Sequence, residues 1–285
     1  MTGASEPATV TLGVADAYFD AVPRPDTDAV EVGPFTLFVS RTPWAYYARP
    51  ALGHPGRVTT ADVVRLGQAC RRYGVELTIE WVEEVHPELA EAASEAGLEV
   101  STHALMAAAA DVPGQVPVPA VPGVKVRVLE AADPALLDAR AVANVAFEFG
   151  GCQRGGPGAR ERDEAVAGLG AQLVAHLVAR ARAGLTVTAV AESPTGGALA
   201  AGSYQPVGAV AEIVGVGTLP AARRRGLAGA VTATLARHAR QCGVEALVLS
   251  AENDDVSRIY RRAGFHRIGT THAAWRPWPA QVGSV

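Results

Sequence analysis

Two rhythms of hydrophobic positions run through the second half of the chain. VKVRVLE (124–130) alternates apolar and polar residues as a strand does, and ADPALLDARAVANVAFEF (132–149) carries helical apolar spacing with Asp133 and Pro134 at its start. A glycine-rich turn follows, and Glu161 to Ala183 reads as a second helix. Strand patterns at 185–192, 198–204 and 209–218 are separated by Gly-containing turns. The spacing then predicts a helix from Leu227 to Gln241, a short buried strand from Ala246 to Ser250, a helix from Asp254 to Ala263, and a closing strand from Phe265 to about Ala274. Strands and helices interleave throughout, so this is a mixed α/β domain.

The pattern breaks at DVPGQVPVPAVPG, where Pro113, Pro117, Pro119 and Pro122 deny the backbone a regular helix or a central strand. We read 111–123 as a linker between a domain at 1–110 and one at 124–285, which suits a chain of 285 residues. The first half faintly echoes the second. Gly74-Val75-Glu76 precedes a strand and Ala96-Gly97-Leu98 ends a helix, matching Gly243-Val244-Glu245 and Ala263-Gly264-Phe265, with glycine intervals of 23 and 21. Any helix ended by glycine gives part of this match, but a duplication is the more economical account. The earlier copy then lacks an arginine-glycine turn, since GHPGRVTT precedes its helix at 60–73, and it has Ala93 where the later copy has Tyr260.

Composition narrows the classes. Hydrophobic residues make up 49% and the net charge is −4, with no run approaching the ~20 apolar residues of a membrane helix. No membrane partner is expected. The chain starts without a basic region followed by an apolar core, so a cytoplasmic location is expected. Lys125 is the only lysine and no lysine-rich patch invites nucleic acid. Cys70, Cys152 and Cys242 lack CxxC or Cys/His spacing, which argues against a disulfide framework and a zinc site and for buried thiols; no metal is expected.

Candidate chemistry concentrates in AEIVGVGTLPAARRRGLAGAV (211–231). Pro220 ends a strand, and Arg223-Arg224-Arg225-Gly226-Leu227-Ala228-Gly229 opens a helix. The first N–H groups of a helix have no internal acceptors and its dipole is positive there, so a pyrophosphate satisfies several donors at once. Glycine at 226 and 229, with alanine at 228, admits the phosphates, and the arginines add charge-assisted hydrogen bonds. An ordinary basic turn capping a helix would show the same pattern. It is neither a Gly-Lys-Ser/Thr phosphate loop nor a Gly-x-Gly-x-x-Gly turn.

With Asn253, Tyr260 and Gly264-Phe265 at the right intervals downstream, residues 124 to about 275 resemble the GNAT superfamily of acyl-CoA-dependent N-acyltransferases, whose Arg/Gln-x-x-Gly-x-Gly/Ala signature is met by Arg223, Gly226 and Ala228. The first half resembles the degenerate partner domain of tandem GNAT proteins. The resemblance implies a mixed, mostly antiparallel central sheet flanked by helices, two such domains in tandem, and acetyl-CoA as co-substrate. It implies that the backbone of Val216, Gly217 and Thr218 pairs with the pantetheine arm, that Arg223 to Gly229 hold the pyrophosphate, and that Asn253 contacts the arm. Tyr260 is similar in position to the tyrosine that protonates the departing thiolate, and Glu212, eleven residues before Arg223, to a glutamate base.

Each role has a plainer alternative. Tyr260 could pack helix against sheet, Glu212 could be an edge residue or an ion-pair partner, and Asn253 could cap the helix that begins Asp254-Asp255. His238 and His266 read as solvent-facing or structural; Glu148, Phe149 and Cys152 fall near the acceptor side by analogy, and Trp44, Tyr46 and Tyr47 offer aromatic surface or core packing. The expected reaction is direct attack of a neutral primary amine, on a small molecule or a peptide N-terminus, on the thioester within a ternary complex. A homodimer is among the assemblies this admits. The alternatives are an acyl-CoA-binding sensor or partner-binding protein without transferase activity, and a nucleotide-binding regulator, which leaves the Asn-Tyr-Gly-Phe block unexplained.

Overall fold

A computed structural model describes residues 11–109 and 118–276. Among the described residues the chain forms two compact units, one of residues 11–104 with 269–276, the other of residues 105–109 with 118–268. The closing strand that the sequence reading placed in a domain at 124–285 therefore groups, from Gly269 on, with the first half of the chain. Of the linker expected at 111–123, residues 111–117 lie outside the described residues, and 118–123 form no helix or strand.

In the unit of residues 105–268, β6 (Lys125–Val128), β7 (Val187–Ser193), β8 (Gly197–Val207) and β9 (Val210–Thr218) run antiparallel in succession. Next come β10 (Ala246–Ala251), parallel to β9, and the second part of β5 (Glu99–Ala109). The mixed, mostly antiparallel sheet is flanked by helices, as expected. One face takes α4 (Ala135–Glu148): a Cβ on Gly217 of β9 would lie 2.8 Å from Ala146 and 3.4 Å from Ala143. The other takes α7 (Leu227–Gln241), whose Val231 and Leu235 lie within 3.2–3.3 Å of a Cβ built on Gly202. Burial of both helices' apolar stripes against the strands supplies the cohesion of this unit.

The helix predicted over 161–183 is two helices, α5 (Ala159–Ala167) and α6 (Ala171–Arg182). Gly168 and Gly170 break it between them, where glycine's entropy cost outweighs the amphipathic periodicity on either side. Arg162 pins α5 to the β7–β8 hairpin, donating to the carbonyls of Gly196 and Ala198 at 2.6 and 2.8 Å.

In the unit of residues 11–104 and 269 onward, α1 (Leu12–Ala21) precedes β1 (Thr27–Val32), β2 (Phe35–Ser40) and β3 (Ala48–Pro50), which pair antiparallel. α2 (Thr60–Tyr73) leads to β4 (Thr78–Val82), parallel to β3, and α3 (Leu89–Glu95) leads to β5. The core packs Phe35, Leu37, Ile79 and Trp81 of the strands against Val63 and Leu66 of α2 and Leu89 of α3. A capping box between Thr59 and Asp62 starts α2.

This is the order of the later half from β7 onward: three antiparallel strands, a helix, a parallel strand, a helix of which α8 (Asp254–Arg262) is the counterpart, and a closing strand, here β11 (His266–Trp275). The closing strands are exchanged. β11 pairs with β4, from Thr271↔Val82 to Trp275↔Thr78, and β5 lies beside β10. Ending the chain after Phe265 should therefore damage the earlier unit. Hydrogen-exchange mass spectrometry should show lost protection across β3 and β4 with β7–β9 still protected; loss confined to β7–β10 would contradict the exchange.

Candidate active site

β9 and β10 pair only from Ala246↔Val210 to Val248↔Glu212. Beyond that rung β9 continues to Thr218 and β10 to Ala251 without pairing, so the strands part. A bulge turns β9 at this place: Ala201 faces Gly217 while Ser203 faces Val214, leaving Gly215 and Val216 opposite Gly202. Gly215 has φ +63°, which glycine adopts at no steric cost and which suits a bulge. An isolated glycine among valines is the sequence signal for this bend. Val216, Gly217 and Thr218 hence meet β8 on one edge and present the other to the gap. The Thr218 hydroxyl is buried there without a partner.

Past β9 a short 3-10 turn, Pro220–Ala222, leads through Arg223–Gly226 into α7. Gly226 at the N-cap has φ +80° and no side chain caps the helix. The first bond into α7 runs from Ala230 N–H to the Gly226 carbonyl, so Leu227, Ala228 and Gly229 offer N–H groups at the positive end of a 15-residue helix. Arg224 has φ +63°, the one non-glycine residue with positive φ among those described. That conformation costs of order 1 kcal/mol and is concentrated at functional loops. Arg224, Arg225 and Gly226 are exposed, Ala228 and Gly229 half-buried.

Arg223 has a different task. Its guanidinium donates to the carbonyls of Ala146 and Phe149 at 3.0 and 2.7 Å, of Gly150 at 3.1 Å, of Gln153 at 3.5 Å, and through Nε to Thr218 at 3.3 Å. A cation at the C-terminal end of α4 answers both the orphan carbonyls and the dipole. Arg223 thereby ties that helix end to the end of β9, a role for which local sequence gives no signal because its acceptors lie up to 77 residues away.

Glu212 stands on the last rung of the β9–β10 pairing, opposite Gln205 of β8, and is half-buried. Tyr260, on α8, is 7% exposed and its ring meets Phe265 edge-on at 6.2 Å. Burial, and then the neighbouring Cys152, push its phenol well above the usual range. Its hydroxyl stays protonated at neutral pH. Asn253 caps α8, its Oδ1 accepting from Val256 N–H at 3.1 Å. The sequence pointed to Cys152 only by analogy, and it approaches Tyr260 through the loop that Arg223 holds. Glu148 and Phe149 are exposed at the end of α4.

His238, Tyr46 and Tyr47 make hydrogen bonds within their own units, and His266 is exposed. His238 Nδ1 shares a 3.0 Å hydrogen bond with the Tyr204 hydroxyl; the Tyr46 hydroxyl donates to Asp26 at 2.7 Å and that of Tyr47 to the Phe19 carbonyl at 3.0 Å. Of the cysteines only Cys70 is buried. Cys242 is exposed, because it is the C-cap residue of α7 rather than part of its apolar stripe. Among the described residues no group of three or more His, Cys, Asp or Glu side chains is placed to hold a metal ion, and no helix is long and apolar enough to cross a membrane.

A family model described as FR47-like protein, a GNAT-related family, matches residues 191–275. Among solved structures, the chain is similar to a GCN5-related N-acetyltransferase from Kribbella flavida at 22% identity, covering 96% of this chain and 98% of that one with a TM-score of 0.68. A tandem GNAT protein from the clavulanic acid biosynthesis pathway matches at 18% identity over 88% and 82% of the two chains, TM-score 0.56. A GCN5-related N-acetyltransferase from Sphaerobacter thermophilus matches at 18% identity over 86% and 81%, TM-score 0.54. No curated protein matches. The fold is the one these GNAT structures share.

Arg223→Met should remove charge-assisted hydrogen bonds worth about 1.5–3 kcal/mol each when well formed, and an overall loss of about 2 kcal/mol is expected by urea denaturation. Arg225→Met, at an exposed position, should change stability by less than about 0.5 kcal/mol. Equal stability of the two variants would remove the tie from α4 to β9.

Proposed function

We propose that the unit of residues 105–268 is an acyl-CoA-dependent N-acyltransferase that moves an acyl group, with acetyl as the donor group, to a primary amine on a small molecule or a peptide N-terminus. The observation that carries this reading is the parting of β9 from β10 beside an uncapped helix N-terminus. An extended amide-bearing arm adds to the open edge of Val216–Thr218 as a strand would. The pyrophosphate at its end lies on the N–H groups of Leu227, Ala228 and Gly229, with Arg224 and Arg225 beside it. The acetyl group is taken from the names of the similar structures.

The residues of the site then divide the work. Glu212, on the last paired rung, accepts a proton from the acceptor's ammonium, directly or through water, and leaves a neutral amine. The amine nitrogen bonds to the thioester carbon, and backbone N–H groups on the open edge of β9 stabilise the oxyanion that forms. The C–S bond breaks, the departing thiolate takes the proton of Tyr260, and the attacking nitrogen gives up its second proton to water, which returns a proton to the phenolate. A phenol whose pKa burial has raised is a weaker acid than usual but is fully protonated wherever the amine is reactive. Arg223 and Asn253 support the site from behind, the first by fixing the α4 end and the second by capping the helix that carries Tyr260. The proton available on Tyr260 is what separates this reading from a protein that only binds acyl-CoA.

Gly226→Trp strains a backbone at φ +80° and crowds the phosphates, so isothermal titration should show acetyl-CoA binding to the parent and none to the variant. Tyr260→Phe should keep acetyl-CoA affinity and lower kcat by about 10²-fold or more. Unchanged turnover under rate-limiting chemistry would take Tyr260 out of the reaction. In Glu212→Gln the rise of turnover with pH that reports the base should disappear; an unaltered profile assigns the proton to another group.

A further inference from the structure

The unit of residues 11–104 and 269 onward carries a charged pair on a strand face where a sheet ordinarily packs apolar side chains. Ala48 of β3 pairs with Ile79 of β4, and both belong to the core on the α2 side with Trp81. Alternation therefore places Arg49 and Glu80, one residue further along each strand, together on the opposite face. Arg49 is 1% exposed. Its Nη2 forms a buried ion pair with Asp16 of α1, while its Nε and Nη1 are buried and have no hydrogen-bond partner. Glu80, on the neighbouring strand about 5 Å away, keeps contact with solvent and makes no hydrogen bond to any described residue. Opposite charges stand side by side on two strands, each with hydrogen-bonding capacity unfilled. A buried guanidinium with two orphaned N–H groups costs of order 1–3 kcal/mol per group unless an acceptor arrives, which a structural ion pair alone leaves unexplained.

From this geometry we infer that the earlier unit holds its own small-molecule site, in which the carboxylate of an α-amino acid zwitterion accepts from Nε and Nη1 of Arg49 and its ammonium donates to Glu80. The two ligand charges match the two protein charges in sign, and an anion or a cation alone leaves one side unanswered. The orphaned N–H groups are closed to solvent, so the ligand enters as the Glu80 side chain, which no hydrogen bond holds, turns outward. Asp16 keeps Arg49 in place during the exchange. The site is independent of the acyl transfer proposed for the other unit.

Titration gives the site a signature. Desolvation by the protein packed around the Glu80 carboxyl pushes it up to about 7 although part of the side chain reaches solvent, against the opposing pull of Arg49. The ligand's ammonium requires the ionised form, so affinity rises with pH through that range and binding releases a proton. Around the pair stand Asp16 of α1, His86 after β4, His54 and, by alternation on β5, His103. Burial holds the pKa of His86 below its ordinary value.

The test is calorimetric titration of the full chain with glycine, the smallest zwitterion, beside glycine methyl ester, which lacks the carboxylate, and glycolate, which lacks the ammonium. Saturable glycine binding with a Kd of about 1 mM or tighter is expected, at least tenfold stronger than either control. Glu80→Gln, at an exposed position, should melt as the parent does and lose at least tenfold in affinity. Glycine affinity in the parent should rise up to about tenfold from pH 6 to 8, with a flat profile in Glu80→Gln. No saturable binding of glycine overturns the inference. So does equal binding of the ester, which dispenses with Arg49, or an undiminished affinity in a folded Glu80→Gln.

Discussion

The hold of one guanidinium on the carbonyls at the end of α4 is the constraint on which the candidate active site depends. Arg223 sits at the exit of β9 and reaches back to Ala146, Phe149 and Gly150, with its own Nε on Thr218. The wall formed by α4 and its following loop, the open edge of β9 and the turn into α7 are therefore tied to one another through this side chain, alongside the backbone bonds from Gly155 N–H to Pro220 and from Ala221 N–H to Pro157. Without it, the strand edge and the helix N-terminus would remain, but the loop near Cys152 would lose its side-chain tie to the end of β9 and keep only the backbone bonds at Gly155 and Pro157. Preorganisation of this kind matters because a site that must order itself on binding gives up part of its interaction energy in doing so.

The two halves of the chain apply one plan with different chemistry. Each has three antiparallel strands, a helix and a parallel strand joined to its neighbour over a short stretch. In the later half the helix after the third strand starts with an exposed, uncapped turn. In the earlier half the equivalent helix is closed by a Thr59–Asp62 capping box, in which the side chains themselves satisfy the N-terminal donors. An anion has nothing to gain there. Ala93, standing where the later copy has Tyr260, is fully buried in the core of its own unit. The earlier half has neither an arginine-glycine turn before this helix nor a tyrosine at that position, and it carries the charged pair Arg49 and Glu80 on its sheet face.

Much of the later half was legible because its periodic segments are long and bounded by strong signals. Helix α7 runs over the residues its apolar spacing predicts, and β9 ends where Pro220 requires. The break between α5 and α6 was missed because apolar spacing continues across Gly168 and Gly170 almost in phase. The turn into α7 was legible as chemistry, yet the separate task of Arg223 was not: its partners are backbone carbonyls, which carry no residue identity. The parting of β9 and β10 is likewise invisible to a pattern of side chains, being a statement about where hydrogen bonding stops. The glycine match between the halves was legible as an echo, and the exchange of closing strands was not, since β5 and β11 would read the same with either neighbour.

That exchange sets an order of events during synthesis. A conventional first domain has all its strands once its last residue leaves the ribosome, and folds while the rest is made. Here β4 waits for β11, whose last residue, Trp275, is made 275 − 82 = 193 residues after Val82. At ordinary elongation rates of ~5–20 residues per second, the delay is roughly 10–40 s. For that interval the edge of β4, with Ile79 and Trp81 along it, is open to pairing with other nascent strands. A chain built this way is exposed to its neighbours on a polysome for longer than its size alone implies.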